Sequence, residues 1–292
     1  MTRCQTSCDA VTIEKSVAQL TASRPAYTSM LGFYGPVFVA QAKSAQHTRP
    51  PAIQVDNALV AMKSEQGFAM IEPTAFGIDT ESAATLLAQI ARLAAASGEN
   101  LSRAGKALTR AMDAGEAVGE LFTAALAQSD RLNDLAGRLD VAPDMLALLL
   151  YLAMKPSIEA GARQLAERLT CDPKNRSNCP VCGGAPILGE LDEEGGQWVH
   201  CNLCWHRWPI DRMGCPLCHK RDTDSLRYLF SEAEPEYRLN VCDSCKHYFK
   251  VVDTRKLERG FYPPLEQVVS LHLDMIAAEK GYTHPMGSGH PI

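Results

Sequence analysis

The sequence has no long apolar run and no recognisable secretory signal. Its longest uninterrupted apolar stretch, Met145–Met154, contains 10 residues, which is too few to span a bilayer. The N-terminus has neither a basic segment nor the apolar core of a signal peptide. We therefore expect a soluble protein without a membrane anchor.

Recognisable catalytic motifs are also missing. The chain contains no phosphate-binding glycine loop, no Gly-x-Ser-x-Gly elbow and no His-Glu-x-x-His helix. Its eight histidines do not cluster at metal-ligand spacing outside the cysteine-rich part. This pattern favours a binding protein over an enzyme.

The chain has no basic excess, and this argues against a nucleic-acid partner. The 292 residues include 29 Lys and Arg against 34 Asp and Glu, and residues 171–262 contain 13 basic and 14 acidic side chains. Phosphate binding requires a positive surface that replaces counterions. Eight thiolates holding two divalent ions would lower the net charge from −5 to about −9.

Cysteine, in contrast, is abundant. Of the 11 cysteines, eight form four Cys-x-x-Cys pairs, which are Cys179/Cys182, Cys201/Cys204, Cys215/Cys218 and Cys242/Cys245. Two such pairs complete a tetrahedral shell of four thiolates around one ion. Four pairs therefore predict two metal ions per chain, and thiolate shells of this kind suit iron or zinc.

The intervals between the pairs leave two arrangements open. They measure 18, 10 and 23 residues, and the longer two can each hold a hairpin. The simplest arrangement is sequential, with one ion in the module 179–204 and the other in the module 215–245. A cross-braced arrangement, first pair with third and second with fourth, fits the same intervals.

Disulfides and redox pairs are the competing interpretations of these cysteines. A two-residue gap makes a strained disulfide ring, and a thioredoxin-like pair opens a helix rather than recurring four times. Both are disfavoured. Cys4, Cys8 and Cys171 lie outside the pattern, and we expect free thiols there.

The remaining sequence predicts an α plus small β fold: an all-helical N-terminal bundle, two tandem rubredoxin-like or zinc-ribbon modules and a C-terminal helix. We expect a disordered segment over residues 1–20, a helical domain over 21–170, ribbons over 171–262, a helix over 263–282 and a tail over 283–292. Helical spacing covers residues 27–44, 80–96, 101–112, 116–127, 130–139 and 144–169. Pro156 should kink or divide the last of these helices.

Short β-rich stretches lie between the cysteine pairs, and they predict two or three strands in each ribbon. They are residues 197–200, 205–210, 225–231, 237–241 and 248–252. Sheets this small depend on their metal ions, each of which would supply on the order of 10 kcal/mol.

The cysteine-rich part resembles the FdhE family of formate dehydrogenase accessory proteins. The likeness rests on Cys179-Pro-Val-Cys-Gly-Gly-Ala-Pro186, His200-Cys-Asn-Leu-Cys204, Cys215-Pro-Leu-Cys218, Cys242-Asp-Ser-Cys245 and Leu271-His-Leu-Asp-Met275. The resemblance implies a cytoplasmic maturation factor that binds the catalytic subunit of respiratory formate dehydrogenase before export. It also implies that the eight paired cysteines hold two ions, iron or zinc. It assigns nothing to Cys4, Cys8 or Cys171.

Two other functions fit the residues in part. A rubredoxin-like electron carrier would use iron in the same thiolate shells, with Trp198, Trp205, Trp208 and Tyr248 packed nearby. A zinc-ribbon nucleic-acid-binding protein would need the basic surface that this chain lacks. The sequence does not indicate the oligomeric state.

Overall fold

The protein consists of two compact units that interleave along the chain. The structure, a computed structural model, describes residues 8–169, 176–222 and 224–285. One unit comprises the chain up to Thr48, Asp79–Pro156 and Glu258–Leu265, and the other comprises Arg49–Ile78, Ser157–Leu257 and the chain from Glu266 onward. The predicted domains are single stretches of chain, whereas these units include residues 49–78 with the cysteine-rich part.

Helices dominate the first unit. Eight helices precede the sheet in the described chain: α1 (Ala10–Ser23), α2 (Thr28–Ala45), α3 (Asn57–Glu65), α4 (Thr80–Ala95), α5 (Glu99–Asp113), α6 (Val118–Leu126), α7 (Asp130–Leu139) and α8 (Pro143–Ala166). Asp79 caps α4, because its carboxylate accepts a hydrogen bond from the Ser82 N–H at 3.1 Å.

Helix α1 corrects the prediction that residues 1–20 are disordered. Asp9 caps this helix by accepting a hydrogen bond from the Thr12 N–H at 2.7 Å. Ile13 and Leu20, two turns apart, are buried on one face. The apolar face of this helix is too narrow to give a periodic signal in the sequence. The Asp9 cap and the two buried residues nevertheless stabilise the helix. Cys4 lies outside the described residues.

Helix α8 runs through Pro156 without being divided. A proline inside a helix has no N–H to offer the carbonyl four residues earlier. Here the Leu152 carbonyl accepts a hydrogen bond from the Gln41 side-chain amide of α2 at 2.7 Å. Gln41 therefore satisfies the acceptor that Pro156 leaves open. Of the two predicted outcomes, division of the helix is wrong, and a kink stays a prediction.

Of the described helices, α8 alone is long and apolar enough to cross a membrane by length and composition. However, 72% of its most apolar window is buried inside the protein. That degree of burial is typical of a core helix, as the sequence predicted for this segment.

The second unit contains one six-stranded sheet instead of two separate ones. Its strands are β1 (Pro186–Leu191), β2 (Gln197–Cys201), β3 (Arg207–Pro209), β4 (Leu226–Phe230), β5 (Tyr237–Cys242) and β6 (Tyr248–Asp253). The spatial order is β3-β2-β1-β6-β5-β4. Each cysteine module forms an antiparallel half, and a parallel pairing of β1 with β6 joins the halves.

Strand β1 is the strand that the sequence pattern does not predict. All six of its residues are buried, so the apolar and polar alternation of a half-exposed strand is missing. Glycine and glutamate inside the stretch weaken the β signal further. The remaining five strands overlap the predicted ones.

The predicted C-terminal helix is two helices. Helix α9 (Pro263–Val269) and helix α10 (Leu271–Glu279) are separated by Ser270. The Ser270 hydroxyl donates to the Glu266 carbonyl at 2.7 Å, so the side chain competes with the backbone at the break.

A buried charge pair holds α10 against the sheet. Lys250 of β6 has no exposed surface, and its ammonium donates to Asp274 of α10 at 2.8 Å and to the Gln267 carbonyl at 3.2 Å. The Tyr248 hydroxyl donates to the other oxygen of Asp274 at 2.8 Å. Burial lowers the pKa of Lys250, and the facing carboxylate of Asp274 opposes that shift.

Replacing Asp274 with asparagine should leave the Lys250 ammonium buried without a counter-charge. We expect Asp274→Asn to lower the free energy of unfolding by about 3 kcal/mol, the low end for a broken buried pair, because a quarter of Asp274 is exposed. Denaturant unfolding measures this change. Glu279→Gln, an exposed change on the same helix, should stay within about 0.5 kcal/mol. Equal stabilities for the two variants would contradict the assignment.

Candidate metal centres

Each Cys-x-x-Cys pair lies in a turn of the same conformation. In all four, the residue after the second cysteine donates its N–H to the carbonyl of the first cysteine, at 2.8 to 3.2 Å. The N–H of the first cysteine in turn donates to the carbonyl five residues later, at 2.8 to 3.0 Å. We call these turns the four knuckles, in chain order. Together, these two backbone hydrogen bonds point both thiols of a pair to the same side of the turn.

In every knuckle, the residue after the second cysteine has the left-handed backbone conformation. Its φ is +75° at Gly183, +55° at Trp205, +60° at His219 and +58° at Lys246. Non-glycine residues rarely adopt such values, yet three of the four knuckles contain one. Glycine favours this conformation, and of the four positions only Gly183 is a glycine. The sequence therefore gives no sign of the left-handed conformation in the other three knuckles.

The four knuckles meet in two groups of four thiols. The first centre is Cys179, Cys182, Cys201 and Cys204, and the second centre is Cys215, Cys218, Cys242 and Cys245. The structure therefore has the sequential arrangement and not the cross-braced one. Within each group all sulfurs lie within 4.8 Å of one another.

The sulfur distances fit metal shells and not disulfides. Adjacent sulfurs are 3.5 to 3.6 Å apart in the first centre and 3.7 to 3.8 Å apart in the second. A disulfide requires about 2.05 Å. A tetrahedron with metal–sulfur bonds of about 2.3 Å has edges of about 3.8 Å. Both groups could hold one ion each without rearrangement.

Burial makes bare thiolates costly in the first centre. It raises the pKa of Cys179 and Cys204 well above the usual value for a thiol. The pKa of Cys201 is lowered, because hydrogen bonds from the neighbouring Cys179 and Cys182 thiols outweigh the effect of burial. A bound divalent cation would stabilise all four sulfurs as thiolates by offsetting part of their negative charge.

A segment far away in the chain covers the first knuckle. The Met70 N–H donates to the Pro180 carbonyl at 3.0 Å, and the Ile71 N–H donates to the Val181 carbonyl at 3.1 Å. Trp208 is fully buried, and its indole N–H donates to the Arg176 carbonyl at 2.9 Å. The sequence pattern carries no signal for the role of residues 70 and 71.

A charged triad lies beside the first centre on the sheet. Glu190 of β1 accepts hydrogen bonds from His200 of β2 at 2.8 Å and from Arg207 of β3 at 2.8 Å. Burial tends to raise the pKa of Glu190, but these two partners bring it below its usual value. The Arg207 guanidinium also stacks over the Trp198 ring at 4.2 Å. This triad ties three strands together.

The histidines next to the cysteines have different surroundings. His200 pairs with Glu190, as above, and burial lowers the pKa of His206 to about 4, so this ring is neutral near pH 7. His219 is exposed, with its ring 3.0 Å from the Ser177 hydroxyl. None of these contacts resembles a catalytic arrangement.

Of the remaining cysteines, Cys8 is described by the structure and joins neither centre. Cys8 is a half-buried free thiol, and Cys4 and Cys171 lie outside the described residues. The expectation of free thiols at these two positions stays a prediction.

Comparison with known proteins gives several relatives in one family. The chain is 30% identical over 146 residues to a protein FdhE homolog of Aquifex aeolicus, covering 49% of the chain and 50% of the relative. It is 31% identical over 161 residues to one of Haemophilus ducreyi, covering 52% of each. The chain thus spans about half the length of the curated relatives it matches. No family model matches the sequence.

A solved structure extends this likeness to the whole fold. The crystal structure of the FdhE protein from Pseudomonas aeruginosa superposes with a TM-score of 0.70 at 22% identity, covering 98% of both chains. The chain is similar to FdhE proteins in sequence over about half its length and in fold over nearly all of it. The resemblance noted from the cysteine motifs is thereby confirmed, and the helical, small-sheet architecture with two four-cysteine groups is that expected of FdhE.

Gly184 tests the geometry of the first centre. A Cβ at this position would lie 2.7 Å from the Cys201 sulfur and 2.5 Å from the Asn202 side-chain oxygen. We expect Gly184→Ala to reduce the bound metal from two ions to one per chain, measured by elemental analysis. Gly214→Ala, next to the second centre but with no contact closer than 3.6 Å, should keep both ions. Two ions in Gly184→Ala would argue against this packing.

Removing metal should unfold the sheet around the first centre, because the metal–thiolate bonds that join its two knuckles are lost. All three tryptophans of the chain, Trp198, Trp205 and Trp208, lie within or just after the module 179–204, so tryptophan fluorescence reports on it selectively. We expect excess EDTA to shift the emission to the red, and lower pH to make this easier, because protons compete for the thiolates. An unchanged emission maximum after verified metal removal would contradict this expectation.

Proposed function

We propose that the protein is an accessory factor for the maturation of respiratory formate dehydrogenase. It binds the catalytic subunit of that enzyme in the cytoplasm before export, and it carries two metal ions in its four-cysteine centres. Similarity to FdhE proteins supports the process. The two preformed thiol groups are the single observation that supports the metal-dependent part.

A binding role fits the closed shape of both centres. Catalytic metal sites keep a coordination position open for water or substrate, whereas structural sites use four protein ligands. Here each centre has four converging sulfurs, which would complete a tetrahedral shell. The chain therefore supplies a metal-stabilised surface and no metal-bound water.

Iron and zinc both suit these shells. Thiolate ligands accept either metal in tetrahedral geometry, and availability decides which is bound. The Leu203 N–H lies 3.4 Å from the Cys201 sulfur, and hydrogen bonds of this kind tune the potential of iron–thiolate centres. A reversible visible absorbance change in protein prepared without oxygen would favour the rubredoxin-like alternative.

The charges around the second centre disfavour a nucleic-acid partner. Arg227 and Lys246 both pair with Asp243, at 2.6 Å and 2.8 Å, and Arg221 pairs with Asp211 at 2.5 Å. Cations already paired with carboxylates have less to offer a phosphate backbone.

The reducing cytoplasm suits a protein whose eight ligands are thiols. Disulfides form readily in oxidising compartments, while cytoplasmic thiols stay reduced. In the described part of the chain every cysteine is a free thiol.

Capture of the partner tests this proposal. A tagged chain expressed in a host with respiratory formate dehydrogenase should co-purify with the catalytic subunit. Cys201→Ser/Cys204→Ser should lose this capture by collapsing the first centre. Cys8→Ser, the same chemical change outside both centres, should retain it.

The two possible failures have different meanings. If the wild-type chain captures no catalytic subunit, the proposed function is wrong. If the double variant captures it as well as the wild type does, the partner binds without the metal half.

A further inference from the structure

We propose that the two centres have different roles: the first holds its ion permanently, and the second exchanges a thiophilic divalent cation with the solution. This inference rests on the proposed function only in requiring that both centres bind metal. It assigns the exchange site to Cys218 and Cys245, through which the second centre meets the solvent.

Burial separates the two centres. The thiol residues of the first centre are 0% to 3% exposed. In the second centre Cys215 and Cys242 are similarly buried, whereas Cys218 and Cys245 are partly exposed. A reagent in solution can therefore reach two ligands of the second centre directly and none of the first.

The residues around the two centres differ in burial in the same way. The first centre is covered by residues 70 and 71 and by the buried Trp208, as described above. Next to the third knuckle, Met213 is 64% exposed and His219 is exposed. Ser177, which is distant in the sequence, contacts this knuckle. Its hydroxyl donates to the Leu217 carbonyl at 3.3 Å.

The fourth knuckle is partly covered, through its backbone and through the Tyr282 hydroxyl, which donates to Asp243 at 2.8 Å. The Thr283 N–H donates to the Lys246 carbonyl at 2.8 Å, and the Tyr248 N–H donates to the Thr283 carbonyl at 3.2 Å. These contacts hold the turn in place while Cys245 stays partly exposed. The surrounding residues therefore hold the knuckle in place but do not exclude solvent from the second centre.

A small cavity lined by both polar and apolar residues borders the second centre. Its volume is about 20 Å³, which is room for one water molecule. Cys215 and Cys242 line it together with Asn240 and His247. The side-chain oxygen of Asn240, a residue only 8% exposed, and Nδ1 of His247 have no hydrogen-bond partner among the described residues.

This cavity completes the requirements for exchange. A thiolate that leaves a metal must be solvated or protonated, which is costly in a dry interior. Cys218 and Cys245 can take a proton from bulk water, and the cavity can hold a water molecule beside Cys215 and Cys242. In an exchange, each metal–sulfur bond that breaks is replaced by a bond from the metal to the incoming chelator, and each released sulfur takes up one proton.

Zinc release from the intact chain measures the difference. The full-length protein is loaded with two zinc ions and mixed with excess 4-(2-pyridylazo)resorcinol, whose zinc complex absorbs visible light. We expect one equivalent to be released at least about tenfold faster than the other, in line with the 10- to 100-fold effects of the groups around a metal site. Release of both ions in a single phase would overturn the inference.

Variants assign the two phases. Cys245→Ser should bind one zinc ion and lose the fast phase, whereas Cys182→Ser should bind one zinc ion and lose the slow phase. The opposite assignment would overturn the inference.

Alkylation of the zinc-loaded wild-type protein covers the case in which a variant does not fold. Iodoacetamide followed by mass spectrometry should label Cys218 and Cys245 before any ligand of the first centre. Cys8, which is outside both centres, is the internal reference. Equal labelling of the two centres would contradict the proposal. A wild-type chain that binds no zinc or iron at all would instead refute the proposed metal function.

Discussion

The fold depends on the convergence of four sulfur atoms at two points. Each centre joins one knuckle before a hairpin to one knuckle after it, so an ion at that point fastens both ends of the hairpin. Each knuckle in turn depends on one left-handed residue, because that residue closes the turn and aligns its two thiols. Without a bound ion, the sulfurs of a centre provide no bond that fastens the two ends of its hairpin.

The sequence predicts the ligands and their sequential grouping as the simpler arrangement, because Cys-x-x-Cys spacing is a local signal. It also predicts most helices and five strands, whose apolar periodicity is local too. It does not predict β1, the cover over the first knuckle, or helix α1. Burial of β1 on both sides removes its alternation, and residues 70 and 71 act through backbone bonds that any residue could make.

Proline and serine show a second limit of sequence patterns. Pro156 predicts a break in α8, but the helix continues because Gln41, more than 100 residues earlier, satisfies the carbonyl that the proline leaves open. Ser270 is an ordinary residue in an apparently continuous helix pattern, and yet the chain breaks there. In both cases the deciding partner is a single hydrogen bond, which periodicity does not encode.

The parallel pairing of β1 with β6 has a consequence for biosynthesis. Leu188 pairs with Lys250, 62 positions later, and such non-local pairing forms slowly. During translation the first module, with its hairpin, emerges while one edge of β1 still lacks its neighbour. Unpaired strand edges pair readily with other chains. Early binding of metal at the first centre would therefore shorten the time during which the nascent chain can aggregate.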